Sequence, residues 1–159
     1  MKSIIIYYSR SGNTEKLANR IRADIGGDIL KIEPEAAYGN YISSCLRVMK
    51  ERKQKITPKF VTSIPNTSEY AVIFLGYPIW AQDVPAFISD FIGQCDIHGK
   101  IIIPFATYGA SDIRWTMKTL QRICAGADIE LPFSTGLIKK GNYEDWMQSV
   151  KALLRRESA

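Results

Sequence analysis

The stretch Lys2 to Thr14, KSIIIYYSRSGNT, decides how the rest of the chain is read. Its first half, Lys2 to Tyr8, is a short run of β-branched and aromatic residues without polar alternation, which describes a strand covered on both faces. A glycine-containing turn follows at once. From Thr14 the spacing of Leu17, Ala18, Ile21 and Ile25 is helical, and it stops at Gly26-Gly27, where a C-terminal glycine belongs. A buried strand that feeds straight into a helix opens a parallel α/β sheet.

The same alternation continues outward from this stretch. Asp28 to Glu33 reads as a second strand and Pro34 to Gly39 as a loop. Tyr41, Ile42, Cys45, Leu46 and Met49 then keep one apolar face through a helix with basic residues on its other side, the ordinary pattern of a helix packed by its apolar face. Pro58 and Pro65 mark a long connection, and Tyr70 to Gly76 (YAVIFLG) is the clearest buried strand of the chain. Asp83, read as an N-cap, opens with Pro85 a helix carrying Phe87, Ile88, Phe91 and Ile92 inward. Lys100 to Ala106 is a fourth strand. Ser111 or Asp112 caps a helix with Ile113, Met117, Leu120 and Ile123, Ile129 to Leu137 is the last strand region, and Asn142 starts a final helix burying Trp146, Met147, Val150, Leu153 and Leu154.

Five strands alternating with five helices are too few for an eight-stranded barrel. Right-handed crossovers leave one three-layer doubly wound α/β domain over residues 1–159, with a five-stranded parallel sheet in the order 2-1-3-4-5. A ligand in such a sheet sits beyond the carboxyl ends of the strands, at the switch point beside the first and third.

Composition narrows what that ligand does. The 159 residues are 46% hydrophobic and 23% charged, an ordinary globular balance. Cys45, Cys95 and Cys124 lie far apart with no C-x-x-C pair, so neither a zinc site nor a disulfide framework is expected, and free thiols suit a reducing cytoplasm. Lys2 runs directly into a short apolar segment without a long h-region, and no apolar stretch approaches the roughly 20 residues of a membrane span. The expectation is a soluble, unexported protein. A single histidine, His98, sits between Ile97 and Gly99 just before a strand and reads as a loop residue with no catalytic role. Chemistry is therefore expected from something the chain binds, with no metal site of its own.

The net charge of +5 is local. Arg47, Lys50, Arg52, Lys53, Lys55 and Lys59 face one acid, Glu51, and the remaining 15 basic and 15 acidic residues balance. Such a run reads as a solvated helix face and loop ahead of a docking patch. No aromatic residue interleaves within it, as a base-stacking surface would want, so nucleic acid is not an expected partner.

Three loops at one sheet edge carry the functional signal. Ser9-Arg10-Ser11-Gly12-Asn13-Thr14 joins hydroxyls, an amide, a glycine and a helix N-terminus, and reads either as an anion cradle or as a capped helix start. It lacks the Gly-Lys-Ser/Thr ending of an ATP loop and the G-x-G-x-x-G of a dinucleotide site. Pro78-Ile79-Trp80-Ala81 sets an indole beside it, either a lid on the sheet edge or a platform for a planar ligand. Thr107-Tyr108-Gly109-Ala110-Ser111 adds an aromatic, a glycine and two hydroxyls at the same end.

With its Y-x-S-R-S/T-G-N-T start, G-Y-P-I-W segment and P-F-x-T-x-G-x-S segment, the chain resembles the flavodoxins from Ile4 to the final helix. The resemblance implies FMN as cofactor. It places Ser9, Arg10, Ser11, Gly12, Asn13 and Thr14 at the phosphate, Pro78, Ile79, Trp80 and Ala81 on one side of the flavin, and Thr107, Tyr108, Gly109 and Ser111 on the other. Two functions follow from it: an electron carrier working with a redox partner protein or an NAD(P)H-linked reductase, or an NAD(P)H-dependent reductase of quinones or similar small molecules. A non-catalytic module binding FMN or another phosphorylated ligand is the reading from a different class. Many electron-carrying flavodoxins are acidic, so a basic chain implies a partner that is acidic where it docks.

Overall fold

The computed structural model describes residues 1–109 and 112–159. Helices and strands alternate as β1 (Ser3–Tyr7), α1 (Asn13–Ile25), β2 (Asp28–Lys31), α2 (Tyr41–Gln54), β3 (Val72–Pro78), α3 (Ala86–Gly93), β4 (Ile101–Tyr108), a 3-10 turn (Ile113–Thr116) running into α4 (Met117–Ile123), β5 (Asp128–Ile129), β6 (Phe133–Gly136) and α5 (Tyr143–Glu157). All strand pairs are parallel, and the order is β2-β1-β3-β4-β5, as the sequence implies.

The apolar runs are continuous because both faces of the sheet are covered. Along β1 and its end, Ile4, Ile6 and Tyr8 join a core with Ile73, Leu75, Tyr77, Phe87, Ile88 and Leu120. Ile5 and Tyr7 point the opposite way, into a core with Phe74, Phe105, Leu17, Ile21, Met147 and Val150. Successive strand side chains leave on opposite faces, so each strand feeds both layers. Gly76 has a local reason: any side chain there would run into the Phe105 ring on the neighbouring strand.

Three expectations are corrected. The last strand region is two strands, both paired with β4: β5 meets Ile101 and Ile102, and β6 meets Phe105 to Tyr108. Between them Leu131 takes a left-handed φ of 47° and Pro132 has no N–H to donate, which breaks the ladder. Asp83 does not cap α3. The residue preceding α3 is Pro85, while the Asp83 carboxylate accepts the Val84 N–H at 2.8 Å and its backbone exchanges hydrogen bonds with Trp80.

The third correction concerns α2. Its buried residues are Ser44 and Val48, whereas Tyr41, Ile42, Leu46 and Met49 face solvent and Cys45 is half-buried. The inward side joins the core through Val48, with Cys45 packed against it, and is otherwise held by polar groups. Arg47 sits 3.9 Å over the Tyr38 ring, bonds Glu51 at 2.7 Å, and donates to the carbonyls of Ala36 and Ala37. The helix is thus anchored by Val48, Cys45 and a charged cluster, while Tyr41, Ile42, Leu46 and Met49 of the expected apolar face lie outside. Among the described residues, no helix is long and apolar enough to cross a membrane.

Candidate functional site at the carboxyl edge of the sheet

The first loop closes on itself before α1 begins. Gly12 adopts φ 94°, a conformation that costs other residues, and its N–H donates to the Ser9 hydroxyl at 3.1 Å. No side chain caps the helix at Gly12. N–H groups of a first helical turn have no preceding turn to bond, so those that start at Asn13 are left for an outside acceptor. Their partial positive charge favours an anion. The capped-start alternative accounts for less of the loop than the cradle does, because the Ser11 and Thr14 hydroxyls are not spent on a cap.

Thr14 is 2% exposed, and its hydroxyl meets that of Thr107 at 2.7 Å, joining the first loop to the end of β4. Two hydroxyls sharing one hydrogen bond leave one proton to donate elsewhere. Asn13 Nδ2 reaches the Ser11 hydroxyl at 3.4 Å. Arg10 turns along the rim, where its guanidinium donates to the Gly39 carbonyl at 3.1 Å.

The second loop is a tight turn. Trp80 and Asp83 bond each other's backbones across Ala81 and Gln82, both at positive φ (48° and 64°). Arg52 of α2 clamps this turn by donating to the carbonyls of Ala81 at 2.8 Å and Trp80 at 3.4 Å. The Trp80 indole is 1% exposed and packs 4.7 Å from Tyr38 and 5.6 Å, edge-on, from Tyr8. It packs on the sheet edge and at the same time lines the cavity between the loops. Burial under this cluster pushes the Tyr8 phenol up to about 12, so it stays neutral.

Together the loops bound a cavity of about 490 Å³. Of the residues expected from sequence, Arg10, Ser11, Asn13, Thr14, Pro78, Ile79, Trp80, Thr107, Tyr108 and Gly109 line it. Ser9 and Gly12 shape the first turn from behind, Ala81 belongs to the turn that Arg52 holds, and Ser111 lies outside the described residues.

Sequence reasoning missed Tyr41 and a fourth wall, Thr135, Gly136 and Leu137. The wall follows from register, since Thr107 and Tyr108 pair with Thr135 and Gly136. The signal was present: the strand beside the fourth must end next to the loop that follows it. Tyr41 opens α2, and its phenol lies over Gly109, 3.4 Å from where a side chain would start. Burial raises both cavity phenols, Tyr41 and Tyr108, above their ordinary value.

The lining holds one cation, Arg10, and no Asp, Glu, His or Cys among the described residues. It offers no side chain to act as a carboxylate base or a thiolate nucleophile. Burial also pushes the Cys95 and Cys124 thiols up, to about 11 and about 12. His98 is exposed near the opposite end of the sheet.

Comparison with known proteins agrees with this architecture. The family model described as Flavodoxin matches residues 2–150. No curated protein matches the chain. A provisionally assigned flavoprotein of Bacteroides uniformis is 28% identical, with 94% of this chain and 97% of that one covered at a TM-score of 0.80. A flavoprotein of Lactobacillus acidophilus solved in complex with FMN is 16% identical over 84% and 91% of the two chains, TM-score 0.71. An archaeal flavodoxin is 18% identical over 93% and 90%, TM-score 0.57.

Proposed function

The chain belongs to the flavodoxin family, and we propose that it is an electron carrier built as one FMN-binding domain, exchanging electrons with protein partners in the cytoplasm. The observation that carries this reading is the 490 Å³ cavity at the switch point, which pairs an anion cradle with aromatic and apolar walls and holds no carboxylate among its described lining residues.

The residues present fit FMN. The free N–H groups of the α1 start, the Ser11, Asn13 and Thr14 side chains and the Arg10 rim would hold the phosphate. Pro78, Ile79, Thr107, Tyr108 and Gly109 would bound the ring, with Tyr41 added from α2. Trp80, which also lines the cavity, would meet the ring from its turn; Ala81 would act from behind by fixing that turn, and Ser111 would meet the ring as the resemblance implies. When bound, FMN supplies the redox chemistry by accepting and releasing electrons. The protein's contribution is electrostatic: a nearby cation and no lining carboxylate favour the negatively charged reduced cofactor.

A carrier needs protein partners for donor and acceptor, whereas a self-sufficient reductase would oxidise NADPH alone. The test is NADPH consumption by the purified FMN-loaded protein with a quinone as acceptor. No turnover without an added reductase is expected; steady consumption by the protein alone would make it a reductase instead.

A further inference from the structure

Helix α2 presents its apolar residues outward, and they coincide with the basic run. Ile42, Leu46 and Met49 are 71%, 61% and 57% exposed and follow one another at four- and three-residue steps, so they form a single stripe. Lys53 continues the stripe one turn on, and Lys50 flanks it. The only acid of the helix, Glu51, is turned inward and bonded to Arg47 and Tyr38. Across the cavity, Leu137 and Ile138 are 86% and 83% exposed and are followed by Lys139 and Lys140.

Both patches begin at the site. Tyr41 and Leu137 line the cavity, and the exposed residues run away from each of them. A solvated helix face accounts for the lysines but not for three large apolar side chains among them. Contiguous exposed apolar surface ringed by charge is the mark of an interaction site.

We propose that the outward face of α2, together with the Leu137–Lys140 segment, is the docking surface for a partner protein that presents an apolar centre ringed by carboxylates. This rests on the carrier reading, since whatever covers the surface also covers the mouth through which electrons pass. Charge complementarity selects the occupant. A second copy would set lysine against lysine over the same stripe, which like-charge juxtaposition disfavours. An acidic partner instead gains steering from the lysines and burial from Ile42, Leu46 and Met49. Arg47 and Arg52 take no part, being committed to the Tyr38 cluster and the Trp80–Ala81 turn.

The probe is an acidic haem protein of the cytochrome b5 type, titrated calorimetrically into the FMN-loaded full-length protein at low and high salt. Lys50→Glu/Lys53→Glu and Leu46→Gln/Met49→Gln are each expected to weaken binding about tenfold. Lys118→Glu/Arg122→Glu on α4 makes the same charge change elsewhere and is expected to leave affinity within about twofold. An FMN fluorescence titration of every variant runs in parallel. Failure of the wild type to bind the cytochrome, or equal weakening by the α4 control, overturns the docking surface. Unchanged cytochrome affinity in the α2 variants, with those variants instead losing binding to phosphatidylglycerol vesicles, overturns it in favour of a membrane surface. Absence of FMN binding by the wild type would break the cofactor reading, and the same cytochrome titration run on the flavin-free full-length protein then decides the surface.

Discussion

Helices α1 and α2 follow adjacent strands and have similar amphipathic patterns, yet they face opposite ways. In α1 the periodic residues Leu17, Ala18 and Ile21 are buried in one sheet-covering layer. In α2 the periodic residues Ile42, Leu46 and Met49 are outside, and the helix is held by Val48, Ser44 and the Arg47, Glu51 and Tyr38 cluster. Periodicity locates a helix and measures its apolar face; it does not say what that face meets. Where the inward contacts are polar and specific, the apolar stripe is free for another use.

Truncating one residue from each stripe separates the two helices by the largest margin. Ile21→Ala is expected to cost about 2–5 kcal/mol in urea unfolding, as loss of a fully buried aliphatic side chain does. Leu46→Ala should change stability by no more than about 0.5 kcal/mol. Comparable losses would place Leu46 in a core and remove the asymmetry.

A smaller effect separates the two helices at the site. Thr14→Val keeps the shape of α1 but removes the hydroxyl that pairs with Thr107, and is expected to weaken FMN binding by about 1–1.5 kcal/mol, roughly tenfold, by fluorescence titration. Arg10→Glu, on the loop before α1, should make the reduction potential more negative. A change of about 1 kcal/mol corresponds to about 40 mV for one electron, so an unchanged midpoint in a potentiometric titration would remove Arg10 from the electrostatic account.

The smallest expected effect concerns how α1 is tied to α5. The Tyr143 hydroxyl donates to Asp24 at 2.7 Å, and with Lys151 it holds that carboxyl below its ordinary value of 3.8. A depressed carboxyl adds stability above its unfolded value that disappears as pH falls through the folded one. Tyr143→Phe should therefore be less stable than wild type at pH 6, with the gap closing below about pH 4 in acid-urea titrations.

Much of this molecule is legible in its sequence because the strands are buried on both faces, so KSIIIYY and YAVIFLG announce a parallel sheet and the order 2-1-3-4-5 follows from connection rules. The loops at Ser9 to Thr14, Pro78 to Ala81 and Thr107 to Gly109 were visible for the same reason, each lying where a buried strand ends. The rest depended on contacts between distant residues. Leu131-Pro132 splits the last strand, and the proline was a readable warning. The register that brings Thr135 to Leu137 against Thr107 and Tyr108 was implied by strand order, although the three-loop reading stopped short of it. The inversion of α2 depends on Arg47 meeting Glu51, Tyr38 and two carbonyls, which no periodicity encodes.

On the proposed reading, the carboxyl-edge cavity holds FMN and serves a separate reductase. Its most direct test is the absorbance spectrum of the purified protein, with FMN added back and excess removed if it emerges colourless, followed by anaerobic NADPH and then dithionite. Retained flavin bands that survive NADPH and bleach only with dithionite are expected. A protein that retains no flavin after reconstitution, or one bleached by NADPH alone, would contradict that reading.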